Sequence, residues 1–106
     1  MAENWAADIK KYAPDADDAV VAKLLSTYRL VLSRSDSAYV ATSDATEVAT
    51  VREKFLKGKL GLSDDDATLD AAIKEVAARM KGDRTKSRAT VYYLLAEKFG
   101  RLGVFS

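Results

Sequence analysis

The chain has no histidine and no cysteine. Histidine is the side chain whose ordinary pKa lies nearest neutrality, and it is the commonest metal ligand. Cysteine supplies thiolate nucleophiles, redox pairs and soft metal ligands. A Ser-His-Asp triad, a Cys-His pair, a disulfide and the usual zinc and iron–sulfur sites are therefore excluded, and catalysis would fall to carboxylates, Lys, Tyr, Ser or Arg. Proline occurs once, at Pro14, which leaves long stretches free to be helical. No apolar run approaches the roughly 20 residues that span a bilayer. Residues 1–8 carry neither the basic nor the apolar segment of a signal peptide. The expectation is a soluble cytoplasmic protein without a membrane partner, and the missing cysteine agrees with it.

The chain is 106 residues long, the size of one domain, so a single domain over residues 1–106 is expected. Its 48% hydrophobic and 31% charged residues suit an ordered globule rather than a disordered chain. Net charge is +1, unevenly spread: residues 1–50 hold 5 basic and 8 acidic side chains, residues 51–106 hold 12 and 8. The second half is where an anion-binding surface would be sought.

Apolar spacing reads as helix throughout. Trp5, Ile9 and Tyr12 predict a short first helix that Pro14 stops, with Trp5 docking it on the core. Asp15 or Asp17 can cap a second, whose stripe is Val21, Leu24, Leu25, Tyr28 and Leu32. Ser33 to Ser37 reads as a loop because its hydroxyl and Asp side chains compete for backbone hydrogen bonds. Tyr39 and Val40 are compatible with either a helical turn or an extended piece, so the conformation of residues 33–43 stays open. Asp44 with Glu47 resembles a capping box opening a third helix through Val48, Val51 and Phe55, ended by Gly58 and Gly61. Ser63 with Asp66 repeats the pattern before Leu69, Ile73, Val76 and Met80. After Gly82 a fifth helix is expected from Asp83–Thr85 to about Gly100. Its stripe is Tyr92, Leu95, Ala96, Phe99 and Leu102, and Val91 and Leu94 widen it, which predicts a central position. The apolar tail Val104-Phe105 is expected to fold back.

An internal echo accompanies this order. Asp17-Asp18-Ala19 is matched by Asp65-Asp66-Ala67, and Glu53-Lys54-Phe55 by Glu97-Lys98-Phe99. Lys59-Leu60-Gly61 and Arg101-Leu102-Gly103 follow in turn. The expected fold is a compact all-α bundle of four to five helices, with two pseudo-repeated helical hairpins as one arrangement consistent with the echo.

Two clusters carry possible chemistry. Asp64-Asp65-Asp66 with Asp70 lacks the alternating ligands, central Gly and terminal Glu of an EF-hand, so these acids are expected to complement a helix dipole. Arg79, Lys81, Arg84, Lys86 and Arg88 lie within ten residues and meet only Asp83. With Lys57 and Lys59, the residues Lys81, Arg84, Lys86 and Arg88 form the candidate polyanion or partner surface, since cations at a helix start can grip phosphate. The plainer reading is a solvated face plus charge complementing a helix C-terminus. Tyr92 and Tyr93 could stack bases, but adjacent residues on a helix point about 100° apart, and Tyr92 belongs with the core. Lys-Gly-Lys-Leu-Gly-Leu lacks P-loop spacing. No catalytic residue, metal ligand or cofactor is expected.

Leu60-Gly61-Leu62, Leu69-Asp70-Ala71-Ala72-Ile73 and the run from Met80 to Lys98, together with Lys11-Tyr12-Ala13-Pro14-Asp15, resemble a small bacterial family of uncharacterised proteins, the domain of unknown function DUF2853. The resemblance spans nearly the whole chain. It implies a stand-alone bacterial cytoplasmic protein of this size and brings no activity or catalytic residue with it. The functional expectation is a non-catalytic helical interaction module whose partner is protein, either a second copy or another chain. The alternative is a nucleic-acid-associated protein using residues 79–88. An enzyme working by carboxylate, Lys or Tyr chemistry ranks last.

Overall fold

Asp17, Asp44, Asp65 and Ser87 each turn a side-chain oxygen back onto the first turn of a helix, and these caps divide most of the chain into its elements. The computed structural model describes residues 5–34, 37–83 and 86–105. Helix α1 spans Trp5–Tyr12 and buries Ile9 completely before Pro14 ends it. Helix α2, Asp18–Thr27, starts where Asp17 accepts from the Ala19 amide at 2.8 Å. The expected stripe from Val21 to Leu32 does not run as one helix. The chain leaves helical geometry at Tyr28 (φ −107°, ψ 20°) and resumes as the single turn α3, Arg29–Leu32. The break falls at a ring that makes edge contacts with Phe55, Tyr92 and Phe105.

Residues 39–40 are extended. Strand β1, Tyr39–Val40, pairs antiparallel with β2, Lys86–Ser87, with Tyr39 opposite Ser87 and Val40 opposite Lys86. This pairing corrects the start of the last helix. Residues 86–87 are held by a strand from the other half of the chain, so α6 begins at Arg88 and runs to Lys98, with Ser87 accepting from the Thr90 amide. The Arg88 amide continues the ladder, donating to the Ala38 carbonyl at 2.8 Å.

Asp44 caps α4, Ala45–Thr50, as its spacing predicts, but Glu47 does not close the box, because its carboxylate is drawn to Arg88. From Val51 to Lys59 the helix widens into a π-helix. Val51, Phe55, Leu56 and Leu60 are all buried. At 3.6 residues per turn Leu60 would point about 180° away from Val51. The wider i→i+5 winding, seen in the Leu60 amide donating to the Phe55 carbonyl at 2.9 Å, brings all four to the core side. Gly58 lies inside this segment, and Gly61, at φ +68°, makes the left-handed turn that ends it.

Helix α5 spans Asp66–Arg79. Its cap is Asp65, accepting from the Thr68 amide at 2.8 Å, and not the Ser63 that the capping-box spacing suggests. Leu69, Ile73, Val76 and Met80 are buried as their spacing requires. Helix α6 is central: every residue from Arg88 to Ala96 is buried, and it packs against α1, α2, α5 and the π-helix. Both Tyr92 and Tyr93 are therefore inside, because α6 is covered on all sides. After Gly100 (φ +66°) a 3-10 turn, Leu102–Phe105, folds the tail back and buries Phe105 fully. Helices α5 and α6 form a packed hairpin. Helix α2 lies chiefly against α1, α6 and the C-terminal turn rather than against α4 and the π-helix. Among the described residues no helix is long and apolar enough to cross a membrane.

Candidate functional site

The six cations singled out in the sequence do not form one free face. Arg88 is 7% exposed, so its place in a solvated or phosphate-gripping surface is corrected by its burial at the start of α6. Its Nε donates to the Ser37 carbonyl at 2.6 Å, its Nη1 to the Tyr92 hydroxyl at 3.0 Å, and its Nη2 to the Glu47 carboxylate. Burial opposes its charge, but Tyr92 and Glu47 outweigh it and raise the Arg88 pKa. Arg88 thus ties α4 and the chain before β1 to α6. Its guanidinium also lies 5.6 Å from the centre of the Tyr92 ring. Burial raises the Tyr92 phenol despite the neighbouring cation, and burial, with Tyr92 nearby, raises Tyr28 as well.

Lys57 is also spoken for. Its ammonium reaches Asp66 at 2.6 Å and Glu53 at 3.1 Å. Beside it, Arg52 pairs with Glu53 at 2.8 Å and with Asp70 at 3.0 Å. The acidic cluster is thereby divided between tasks: Asp65 caps α5, while Asp66 and Asp70 bind the π-helix to α5. The hydrogen bond from Lys57 holds Asp66 below the usual carboxylate range.

Lys86 donates to the Asp83 carbonyl at 3.0 Å. Asp83 accepts from Lys11 at 2.8 Å and from the Tyr12 hydroxyl at 2.5 Å, and Lys11 first, then Tyr12, lowers its pKa. Arg79 adds a bond to the Tyr12 carbonyl. The turn after α5 therefore fastens α1. Lys59 lies 5.4 Å from the Phe105 ring centre, and Lys81 is exposed. Arg84 lies outside the described residues, as does Thr85.

Two further features, a contact and a groove, have no periodic signature in the sequence. The hydroxyl of Thr90, fully buried on α6, donates to Asp8 of α1. Between α5 and α6 a groove of about 240 Å3 is lined by Glu75, Val76, Arg79, Leu94, Glu97 and Lys98. Lys98 meets Glu75 there at 2.7 Å, and Arg79 approaches Glu97 at 3.9 Å. Among the described residues no buried side-chain nitrogen or oxygen lacks a hydrogen-bond partner.

The family described as Protein of unknown function (DUF2853) matches residues 4–103, and the chain belongs to it. No curated protein matches the chain.

Proposed function

We propose that this family member is a non-catalytic helical module that works in the cytoplasm by binding another protein. The supporting observation is that, among the described residues, several charged side chains that could carry chemistry are engaged in holding the fold. Arg88 is turned inward onto Glu47 and Tyr92, Arg52 and Lys57 onto the α5 carboxylates, and Asp83 onto α1. An active site usually gathers polar groups with unmet potential in a pocket of about 300–1,000 Å3. Among the described residues, the α5–α6 groove is smaller than that, and its charges pair with one another. A grip on nucleic acid is disfavoured for a related reason. Of the six candidate cations, Lys57, Lys86 and Arg88 already have protein acceptors.

Cross-linking in intact cells, read by mass spectrometry, tests this reading. Discrete protein–protein adducts are expected. Adducts with nucleic acid and none with protein would overturn it. So would saturating, steeply salt-dependent binding to short single- or double-stranded nucleic acids that is lost on replacing Lys59 and Lys81 with Ala.

A further inference from the structure

We propose, resting on the module reading above, that the outward face of α2 and α3, centred on Leu30, docks an acidic amphipathic segment of a partner protein. Leu30 is 75% exposed, alone among the large apolar side chains described. It stands off the stripe of Val21, Leu24, Tyr28 and Leu32, so core packing does not use it. A lone exposed leucine is ordinary on a protein surface. This one counts because of the cations around it.

From Ala19 to Ser35 the chain has no acidic residue. Arg29 adjoins Leu30 on α3, Arg34 follows just beyond the end of α3, and Lys23 lies on α2; all three are exposed. Among the described residues none of these three cations joins an ion pair. Lys54, Lys59, Lys74, Lys81 and Arg101 share that state, and what sets this group apart is the exposed Leu30 beside it in the chain. The nearby hydroxyls are already spent on the helix: Thr27 donates to the Lys23 carbonyl at 2.8 Å and Ser33 to the Leu30 carbonyl at 2.7 Å. The face therefore offers a partner positive charge around one apolar anchor.

An acidic segment answers the charge, and an apolar residue on it covers Leu30. A second copy presenting the same face would set cation against cation. A membrane-surface helix buries a whole apolar face in lipid, but the apolar face of α2 is turned into the core. A nucleic-acid backbone would engage the cations and leave Leu30 in water.

The test is a 1H–15N NMR titration of the full chain with an amphipathic peptide carrying Leu at i, i+3 and i+7 among Glu. A scrambled isomer, vesicles of phosphatidylserine with phosphatidylcholine, and a single-stranded oligonucleotide serve as comparisons. The amphipathic peptide should saturate and perturb amides within residues 19–34, more tightly than its isomer. Leu30→Ser and the double variant Arg29→Glu/Arg34→Glu, all at exposed positions outside the core, should each weaken it by roughly tenfold or more. An equal response to the scrambled isomer, or no response in these amides, overturns the assignment. If the peptide instead perturbs another face, this surface fails and the module reading stands. If only the oligonucleotide or the vesicles bind, both fail.

Discussion

The ring of Tyr92 lies flat against that of Phe55, with centroids 3.8 Å apart and planes 8° from parallel. Phe55 belongs to the π-helix and Tyr92 to α6, so this contact joins the two halves of the chain at the centre of the molecule. Phe105 stacks offset on the same Phe55 ring at 6.4 Å, and Tyr28 meets all three rings by its edge.

Truncating the middle ring of this stack, or Phe105 at one end, opens a cavity in a close-packed interior. Phe55→Ala and Phe105→Ala should each destabilise the fold by about 3–5 kcal/mol, measured by urea unfolding. Because the two rings touch, the double variant should fall short of the sum. A near-neutral Phe105→Ala would mean that the tail does not dock.

Arg88 and Glu47 form an ion pair deep enough that removing one partner strands the other. Glu47→Ala should cost about 1–3 kcal/mol by leaving the buried guanidinium short of an acceptor. Joining Arg88→Met with Glu47→Leu should recover much of the loss from either single change, because neither charge is then left unpaired. A double-mutant cycle in urea checks this, and strictly additive losses would contradict the pairing.

Acid should loosen α1. The Asp83 pKa is depressed below the ordinary aspartate value of 3.8, chiefly by Lys11 and then Tyr12. Its contribution is therefore full above that value and is lost as the pH falls through the folded-state pKa. Trp5 lies edge-on to Tyr39 at 5.7 Å and reports whether α1 is docked. The urea midpoint read from Trp5 fluorescence should fall on acidification, and the gap between wild type and Asp83→Asn should narrow as it does. A gap that stays constant across the acid range would rule out this linkage.

The helix caps separate two readings of one start. Asp17→Ala and Asp65→Ala should each cost about 1 kcal/mol, by loss of the acceptor for a free amide of the first turn. Ser63→Ala should be nearly neutral. A loss at Ser63 equal to that at Asp65 would restore the capping-box reading of residues 63–66.

Much of the fold is legible from one-dimensional pattern, and particular residues show where legibility stops. Leu69, Ile73, Val76 and Met80 recur at helical spacing and lie inside, because α5 is long enough for its period to stand out. The widened stripe of α6 marks it as central, and its burial agrees. The start of α6 departs from its local pattern because Lys86 and Ser87 pair with Tyr39 and Val40, and nothing local to residues 83–88 announces a strand more than forty residues away. The candidate site suffered for the same reason. A run of basic residues looks alike whether its side chains reach water or a carboxylate, and Arg88 turns inward because Glu47 and Ser37 arrive from elsewhere in the chain. Leu30 had a signal of a negative kind, since it stands apart from the apolar stripe of its helix.

Local pattern alone specifies the helical character of this protein, the caps at Asp17 and Asp44, the buried stripe of α5, and the catalytic chemistries that a chain without histidine or cysteine forgoes. Those properties follow from neighbouring residues, through periodicity, capping and backbone restriction. The π-winding of residues 51–59, the short β1–β2 pairing, and which cations are held inside or face solvent arise from tertiary contacts. Those outcomes depend on groups far apart in the chain whose burial is shared, and pairing across such distances leaves no local pattern to read.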